Sequence, residues 1–316
     1  MRRGIIGAVV MALALLGLGA RPAAAEGASV VNVANLSPTR TAVFIFSPAM
    51  GRVVQVQILH PAGGGARPSF YLLDGLLPGV DQSTWTTATD SERFFLGKNV
   101  NVVLPVGGIA SYYTDWQNVD ARFGNYKWET FLTRELPPII DGQFGGNGSN
   151  AIGGLSMGGN SAYILAARNP YLYRAVAGYS ACPDTAMSLP AMLFSIARHG
   201  ADPGNMWGAI GGPGWGAHDP AQMIERLRGK ALYLSSGSGI PGPHELELKP
   251  QLAENIFTGG PVETMVLACV ASFDARARGA GIPIHVAYLP VGTHSWGYWQ
   301  DALHDSWPMV AGAIGA

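Results

Sequence analysis

Apolar runs rich in β-branched residues alternate with longer stretches of helical periodicity along most of this chain. Residues 53–59, VVQVQIL, alternate with a period of two, which predicts a half-exposed strand. Residues 69–75 (SFYLLDG) and 99–108 (NVNVVLPVGG) are nearly continuous apolar runs, typical of strands that are buried on both faces. Four further runs predict four more strands: NAIGGLS, RAVAGYS, KALYLSSGS and IPIHVAYLP.

Helical segments separate several of these runs. In YKWETFLTRELPPII, Trp128, Leu132 and Leu136 are spaced by four, and Pro137 and Pro138 are expected to mark the end of that helix. The segments NSAYILAAR, VETMVLACVASFDARARG and YWQDALHDSWPMVAGAI also predict helices. This alternation predicts an α/β fold with a mostly parallel central sheet and helices on both faces. No fixed-period repeat and no long linker divides the chain.

The first 25 residues have the layout of a secretory signal peptide. Arg2 and Arg3 precede an apolar stretch, and three alanines at residues 23–25 offer a cleavage site. The alternative is a membrane anchor, although the apolar stretch is only marginally long enough to cross a bilayer. We therefore expect cleavage, a secreted or cell-envelope location, a single domain over residues 26–316 and no later membrane span.

Composition and charge narrow the class of partner. With 48% hydrophobic and only 13% charged residues, the chain is expected to fold around a large core. A formal net charge of −1 gives no electrostatic basis for nucleic-acid binding. Cys182 and Cys269 are the only cysteines, and in an oxidising compartment they predict one disulfide, with two separate buried thiols as the alternative. Their spacing from histidines gives no metal-site pattern.

One serine lies among four glycines in GGLSMGG, residues 153–159. The centre of this segment fits the G-x-S-x-G pattern, which in α/β-hydrolases places a nucleophilic serine on a tight strand-to-helix turn. A predicted strand precedes Ser156 and a predicted helix follows it, so the expected context is present. The backbone N–H of Met157 should point toward the same space as the serine hydroxyl. A flexible glycine-rich loop is the alternative.

A serine hydroxyl is a weak nucleophile and needs a base, which in turn needs an acid to orient it. In α/β-hydrolases the chain order is serine, acid, histidine, with the histidine after the last strand. His294 in PVGTHSWGYW meets this requirement. His60 precedes Ser156, His285 lies inside a predicted strand, and His304 lies in the terminal helix, where a solvated face explains it.

The acid is not decided by spacing. Glu263 opens the amphipathic helix of VETMVLACVASFDARARG, where a carboxylate also stabilises the helix N-terminus without any catalytic task. Glu245 and Glu247 in HELELKP could be no more than a charged loop, and Asp274 lies deep in a helical pattern. The carboxylates between the last two predicted strands are Glu245, Glu247, Glu254, Glu263 and Asp274.

Eight segments between about residue 47 and residue 313 carry a more specific pattern. Through them the chain resembles the secreted mycolyltransferases of the antigen 85 type, within the α/β-hydrolase superfamily. YKWETFLTRELP and GTHSWGYW are far more specific than the serine pentapeptide. The other matching segments are SPAMGRVVQVQ, YLLDGL, LPVGG, DWQN, GLSMGG and WGAIGGPGWGAHDP.

The resemblance implies roles for five residues around the serine turn. Ser156 would be the nucleophile, His294 the base and Glu263 the acid. The backbone N–H groups of Leu76 and Met157 would form the oxyanion hole, which stabilises the tetrahedral oxyanion. The resemblance thus selects Glu263 from the carboxylates that spacing leaves open.

The resemblance also implies a substrate class. Asp74, Ser295 and Trp296 fall where the family lines its sugar-binding pocket. Family members move a mycolyl chain from trehalose monomycolate to another trehalose ester or to cell-wall arabinogalactan, through an acyl-serine intermediate. We expect no cofactor or metal, contact with membranes only through the lipid substrate, and a monomer. The alternatives are a secreted carboxylesterase or lipase of the same fold, and a glycolipid- or matrix-binding protein on a hydrolase scaffold.

Several positions depart from the family pattern. Leu77 stands where the family has an arginine, and residues 118–125 (NVDARFGN) lack the cysteine pair of mycobacterial members. Ser236 stands where those members often have a cysteine. These departures leave the acyl acceptor open. A bridge between Cys182 and Cys269 would clamp the helix that carries the predicted acid to the sheet.

Overall fold

A nine-stranded sheet runs through the computed structural model, which describes residues 27–61, 64–246 and 250–316. Its strands in chain order are β1 Ser29–Ser37, β2 Arg40–Ser47, β3 Arg52–Leu59, β4 Arg67–Leu73, β5 Asn101–Pro105, β6 Gly146–Leu155, β7 Tyr173–Tyr179, β8 Ala231–Ser236 and β9 His285–Tyr288. The spatial order is β1-β2-β3-β5-β4-β6-β7-β8-β9. Neighbours from β5 to β9 in that order are parallel, whereas β1, β2, β3 and β5 pair antiparallel. The mostly parallel sheet is confirmed, and the predicted signal peptide lies outside the described residues.

Helices cover both faces of this sheet, as predicted. Successive residues of β4 alternate between two cores: Tyr71 and Leu73 face α4, α5, α6 and α10, whereas Phe70 and Leu72 face α1, α2 and α11. The α-helices are α1 Thr84–Ala88, α2 Ser91–Phe95, α3 Trp128–Thr130, α4 Leu136–Gln143, α5 Met157–Arg168, α6 Thr185–Arg198, α7 Gly204–Trp207, α8 Pro213–Gly216, α9 Leu252–Glu254, α10 Gly260–Gly279 and α11 Trp296–Ile314. Short 3₁₀ turns lie at Ile224–Leu227 and Pro243–Glu245, and π-helical turns at Phe131–Glu135 and Asn255–Gly259.

The hydrophobic pattern predicted β3 to β9 but neither β1 nor β2. β1 is one of the two edge strands and has no fully buried residue: Val31, Val33 and Leu36 are exposed, and Val30 is only partly buried. β2 pairs along its length with both β1 and β3. β1 is therefore defined by its pairing with β2, whereas β2 carries an apolar run with Ala42, Val43 and Ile45 buried, which the prediction missed.

The prediction that Pro137 and Pro138 end their helix is wrong. The π-helical turn Phe131–Glu135 changes the hydrogen-bond register, and α4 then begins at Leu136 and continues to Gln143. Both prolines thus lie in the first turn of α4, where a helix makes no use of the backbone N–H that proline lacks. A register change within one helical stretch allows two prolines that would break a continuous α-helix.

The predicted disulfide is confirmed, and the alternative of two separate thiols is wrong. Cys182 follows β7 and is bonded to Cys269 in α10, with 5.3 Å between their Cα atoms and a sequence separation of 87. Closing a loop of that length removes chain entropy from the unfolded state worth about 4–5 kcal/mol at most. The bond joins α10, which carries Glu263 in its first turn, to the segment that follows β7.

One helical stretch in the described ranges, Leu252–Gly279, has the length and apolar character of a membrane span. This differs from the expectation that no segment after residue 25 would qualify. Its residues Cys269, Val270 and Phe273 are buried in the core against the sheet. Long core helices meet the same criterion of length and composition, and 33% of the most apolar window of this stretch is buried.

Candidate active site

Ser156 alone connects β6 to α5. Its backbone has φ 50° and ψ −121°, in the region that non-glycine residues rarely adopt. A Cβ atom on Gly154 would lie 2.6 Å from the carbonyl carbon of Gly158, and one on Gly158 would lie 2.3 Å from the carbonyl oxygen of Asp74. Neither position has room for a side chain. The glycines therefore provide the clearance that so tight a turn between strand and helix requires.

The structure brings Ser156, His294 and Glu263 together in one hydrogen-bonded chain. The Nε2 atom of His294 lies 2.9 Å from the Ser156 hydroxyl, and its Nδ1 atom lies 2.7 Å from Oε2 of Glu263. The serine lies between β6 and α5, the glutamate in the first turn of α10, and the histidine in the loop between β9 and α11. A hydroxyl, an imidazole and a carboxylate in this order can move a proton from the hydroxyl to the ring.

Glu263 is fully buried, and its second oxygen has three donors of its own. Oε1 accepts hydrogen bonds from the Ser180 hydroxyl at 2.8 Å, the Ser236 hydroxyl at 3.1 Å and the backbone N–H of Gly237 at 2.7 Å. The Trp299 ring N–H in turn donates to Ser180 Oγ at 2.9 Å. Burying a charge is costly unless it is hydrogen-bonded, and these donors satisfy that need. They were missed in the sequence because they come from the ends of β7 and β8.

The two predicted oxyanion donors lie on either side of the serine turn. Met157 begins α5, so its N–H belongs to the helix end whose N–H groups have no partner within the helix. The loop after β4 passes directly against the turn, since a Cβ atom on Gly75 would lie 3.9 Å from that of Ser156. Leu76 follows in this loop, and its carbonyl oxygen accepts from the N–H of Ala110 at 3.1 Å.

Asp74 lies beside this loop with its side chain buried. Its Oδ2 atom accepts from the Ser83 hydroxyl and from the backbone N–H of Thr84, both at 3.1 Å. Its Oδ1 atom is buried and has no hydrogen-bond partner among the described residues. Burial raises the pKa of Asp74 to about 7, against the lowering effect of its hydrogen bonds to Thr84 and Ser83. The Asp74 side chain is 1% exposed, and its place in a sugar-binding pocket stays a prediction.

Of the other two expected sugar-binding residues, only Trp296 reaches solvent. Trp296 is half-buried and packs edge-on against Trp85, with ring centroids 5.5 Å apart. The Ser295 side chain is buried, and its hydroxyl donates to Oε1 of Glu245 at 3.2 Å. Leu77, which replaces the arginine of the family, is exposed.

The other candidate carboxylates lie away from His294 or contact it indirectly. Asp274 pairs with Arg278 on α10, Glu254 is exposed, and Glu247 lies outside the described residues. Glu245, which the sequence allows as part of a charged loop, is buried and accepts hydrogen bonds from residues on both sides of His294. Over the described residues no group of three or more metal-ligating side chains is found.

Comparison with known proteins is consistent with this arrangement. Residues 47–309 match the Esterase family. The chain is 33% identical to the diacylglycerol acyltransferase/mycolyltransferase Ag85A of Mycobacterium leprae, over 85% of this chain and 82% of that protein. It is 34% identical to Ag85B of Mycobacterium avium, with the same coverage. The chain belongs to the antigen 85-type mycolyltransferases. Its relatives therefore support an acyltransferase or esterase activity for this mycolyltransferase homologue.

Solved structures place this antigen 85-type chain in the α/β-hydrolase fold. MPT51 (FbpC1) of Mycobacterium tuberculosis has a TM-score of 0.72 and 28% identity, covering 85% of this chain and 96% of that one. An S-formylglutathione hydrolase from Agrobacterium tumefaciens has a TM-score of 0.67 over 90% of this chain and 99% of that one. At 17% identity the second likeness concerns the fold alone.

Proposed function

We propose that this protein is an exported serine acyltransferase that moves a mycolyl or other long-chain acyl group from trehalose monomycolate to a trehalose ester or to cell-wall arabinogalactan. The observation that carries the proposal is the hydrogen-bonded chain from Ser156 through His294 to Glu263 in an antigen 85-type protein. Export is supported by the order of features in residues 1–25, in which Arg2 and Arg3 precede an apolar stretch and three alanines.

In the acylation step, the Ser156 hydroxyl oxygen attacks the ester carbonyl of the donor. His294 Nε2, at 2.9 Å, accepts the hydroxyl proton as the new carbon–oxygen bond forms. The carbonyl becomes a tetrahedral oxyanion, which the N–H groups of Met157 and Leu76 stabilise. When the intermediate collapses, the bond to the trehalose oxygen breaks, and the imidazolium returns the proton to that oxygen. Trehalose leaves, and the acyl group stays on the serine.

The deacylation step runs the same chemistry with an acceptor hydroxyl. His294 removes a proton from a sugar hydroxyl, whose oxygen attacks the acyl-serine carbonyl. The tetrahedral intermediate expels Ser156 Oγ, which takes the proton back from the ring. Glu263 holds Nδ1 at 2.7 Å, and this keeps the tautomer in which Nε2 accepts and stabilises the imidazolium.

We propose that Trp296 forms a wall of the sugar site, since it is the half-exposed member of the three expected residues. Asp74 and Ser295 would support that wall indirectly. Asp74 accepts a hydrogen bond from the Thr84 N–H, and the Ser295 hydroxyl donates to Glu245. Leu77 offers an apolar surface where the family has a charge, and this favours acceptors that do not need an arginine contact. No cofactor or metal enters the proposed reaction, and the protein would act as a monomer.

The test is incubation with trehalose monomycolate, followed by separation of the lipid products. We expect trehalose dimycolate from the wild-type protein and a loss of at least about 10³-fold in Ser156→Ala, with an unchanged circular dichroism spectrum. A fluorophosphonate should label the wild type at Ser156. Ser29→Ala, an exposed serine on the edge strand, is the matched control and should keep full activity.

Other outcomes of the same experiment would contradict the proposal. Free mycolic acid as the main product would identify a hydrolase of the same fold, because water instead of a sugar would then reach the acyl-serine. Binding of the glycolipid with no turnover would favour a binding protein on a hydrolase scaffold, and full activity in Ser156→Ala would exclude Ser156 as the nucleophile.

A further inference from the structure

A second buried carboxylate lies next to the proposed triad but is not part of it. Glu245 stands on the short 3₁₀ turn Pro243–Glu245 and is 8% exposed. Its Oε1 atom accepts hydrogen bonds from the hydroxyls of Thr293 at 2.7 Å and Ser295 at 3.2 Å. Its Oε2 atom accepts from the Tyr298 hydroxyl at 2.6 Å and from the backbone N–H of Gly242 at 2.9 Å.

These partners surround the histidine in the sequence. Thr293 and Ser295 are the two neighbours of His294, and Tyr298 lies in the first turn of α11, which begins at Trp296. The Glu245 side chain therefore binds the loop at the residues before and after His294 and also contacts α11, the helix that follows. The hydroxyl oxygens of Thr293 and Ser295 lie 3.2 Å from each other, so the cluster is compact.

Backbone contacts join the same two loops, but at the neighbours of His294 they run only within the loop and its helix, from the Ser295 N–H to the Thr293 carbonyl and from the Trp299 N–H to the Ser295 carbonyl. The N–H of Gly239 donates to the carbonyl of Gly292 at 2.8 Å, and the N–H of Gly292 donates to that of Ile240 at 2.6 Å. The His294 N–H reaches the carbonyl of Gly259 at 3.2 Å. Gly292 has φ +132°, in a region that favours glycine, and glycine has more conformational freedom than any other residue. The Glu245 hydrogen bonds are thus the side-chain contacts that fix residues 293 and 295.

Glu245 also has the charge state that this task needs. Burial by itself raises the pKa of Glu245, but the hydrogen bonds from Gly242, Tyr298, Thr293 and Ser295 outweigh it, so the pKa lies below its usual value. At neutral pH the group is therefore an anion that accepts from all four donors. Hydrogen bonds to a charged acceptor are roughly twice as strong as those between neutral groups.

We propose that Glu245 is a positioning residue, which holds the His294 loop so that the ring stays within hydrogen-bonding distance of both Ser156 and Glu263. The inference rests on the proposed function, because it needs His294 to be the base. It assigns Ser295 a place in this support, with its hydroxyl committed to Glu245, in contrast to the sugar contact that the sequence suggested. The simpler alternative is that Glu245 contributes only to overall stability.

The experiment compares Glu245→Ala, Glu245→Gln and the control Glu254→Ala, an exposed carboxylate in the same part of the chain. The readouts are kcat and KM for a soluble p-nitrophenyl ester, the rate of fluorophosphonate labelling, and the far-downfield proton resonance of the His294–Glu263 hydrogen bond. Urea unfolding reports whether each variant is folded. Support for the base affects the chemical step and not ester binding, so the split between kcat and KM separates the two explanations.

We expect Glu245→Ala to lower kcat roughly 10- to 100-fold with KM within about threefold, and to slow labelling and broaden the downfield resonance, since a displacement of about 1 Å can cost that much. Glu245→Gln should stay within about fivefold of the wild type. Its amide oxygen can accept from Gly242 and Tyr298, while the hydroxyls of Thr293 and Ser295 rotate to accept from its NH₂ group. Glu254→Ala should match the wild type.

The inference is overturned if folded Glu245→Ala keeps wild-type kcat, or if its loss is matched by Glu254→Ala. If Glu245→Ala does not fold, Thr293→Val removes one of the hydrogen bonds beside the ring at nearly constant volume and should lower kcat about five- to tenfold. Unchanged kcat in folded Thr293→Val would then count against the role. If the Glu245 and Thr293 variants keep wild-type kcat and Ser156→Ala is inactive, only this inference is refuted. An active Ser156→Ala would refute the proposed function itself.

Discussion

The buried carboxylate of the candidate triad has hydrogen-bond donors on both of its oxygens. Glu263 has no exposed surface, yet His294, Ser180, Ser236 and Gly237 together supply a donor to each of its oxygens. Ser236, which stands where relatives often have a cysteine, here donates to the carboxylate. A hydroxyl at this position therefore has a direct electrostatic consequence, because a hydrogen bond to the anion stabilises its charge.

Asp74 offers a test at the same scale. Its folded-state pKa of about 7 lies above the ordinary 3.8, because burial disfavours the charged form. The folded state therefore holds the proton more tightly, and the free energy of unfolding should fall as pH rises from about 4 to about 7. Asp74→Asn does not ionise, so its stability relative to the wild type should rise over that range, by about 2–4 kcal/mol at most.

The measurement is urea unfolding of wild type and Asp74→Asn at pH 4 and pH 8. All other titrating groups are shared, so their contributions cancel in the difference. Glu254→Gln is the exposed control and should show no such change. A difference between wild type and Asp74→Asn that is the same at both pH values would contradict a raised pKa.

At the scale of elements, the decisive junction is that of β6 with α5. The helix passes so close to the loop after β4 that the Cβ position of Gly158 is 2.3 Å from the carbonyl oxygen of Asp74 and 2.9 Å from that of Leu73. Both are backbone oxygens, one at the last residue of β4 and one just after it, and they cannot move away as the end of a flexible side chain can. The glycine is therefore required by the approach of two elements and not by its own dihedral angles.

Gly158→Ala should accordingly separate α5 from β4 and lower the free energy of unfolding by about 3 kcal/mol or more. Esterase activity should fall as well, because Ser156 and Met157 lie on the same turn. Gly142→Ala in α4 is the matched control, since nothing lies within 4 Å of its Cβ position. Replacing a helical glycine there should be neutral or stabilising by up to about 1 kcal/mol. Equal unfolding midpoints in urea for the two variants would refute this steric account.

At the scale of the whole molecule, the site is assembled from distant parts of the chain. The serine belongs to the middle of the sheet, the glutamate to α10 and the histidine to the loop before α11. The Cys182–Cys269 bond joins α10 to the segment after β7, with 87 residues between the two cysteines. The bond thus restrains the element that carries Glu263 relative to the strands that carry its donors.

Replacing both cysteines, Cys182→Ser with Cys269→Ser, should lower the free energy of unfolding by about 2–4 kcal/mol, because the unfolded chain regains the entropy of the open loop. Urea unfolding with and without a thiol reductant measures this directly. Reductant should lower the free energy of unfolding of the wild type to nearly that of the double variant, and it should leave that of the variant unchanged. A double variant as stable as the oxidised wild type would show that the bond adds nothing.

The sequence by itself determined the strands from β3 to β9, the helices α5, α10 and α11 and the serine turn, because burial and periodicity are local properties of each segment. It did not predict α6, which carries Pro190 in its interior. It also pointed to the pairing of the only two cysteines. The family resemblance selected Glu263 as the acid, but only the tertiary structure shows that it lies 2.7 Å from Nδ1 of His294, while Glu245 is hydrogen-bonded to the neighbouring Thr293. The donors to Glu263, the burial of Asp74 and the passage of a helix through Pro137 and Pro138 likewise depend on contacts between segments far apart in the chain, which no window of neighbouring residues contains.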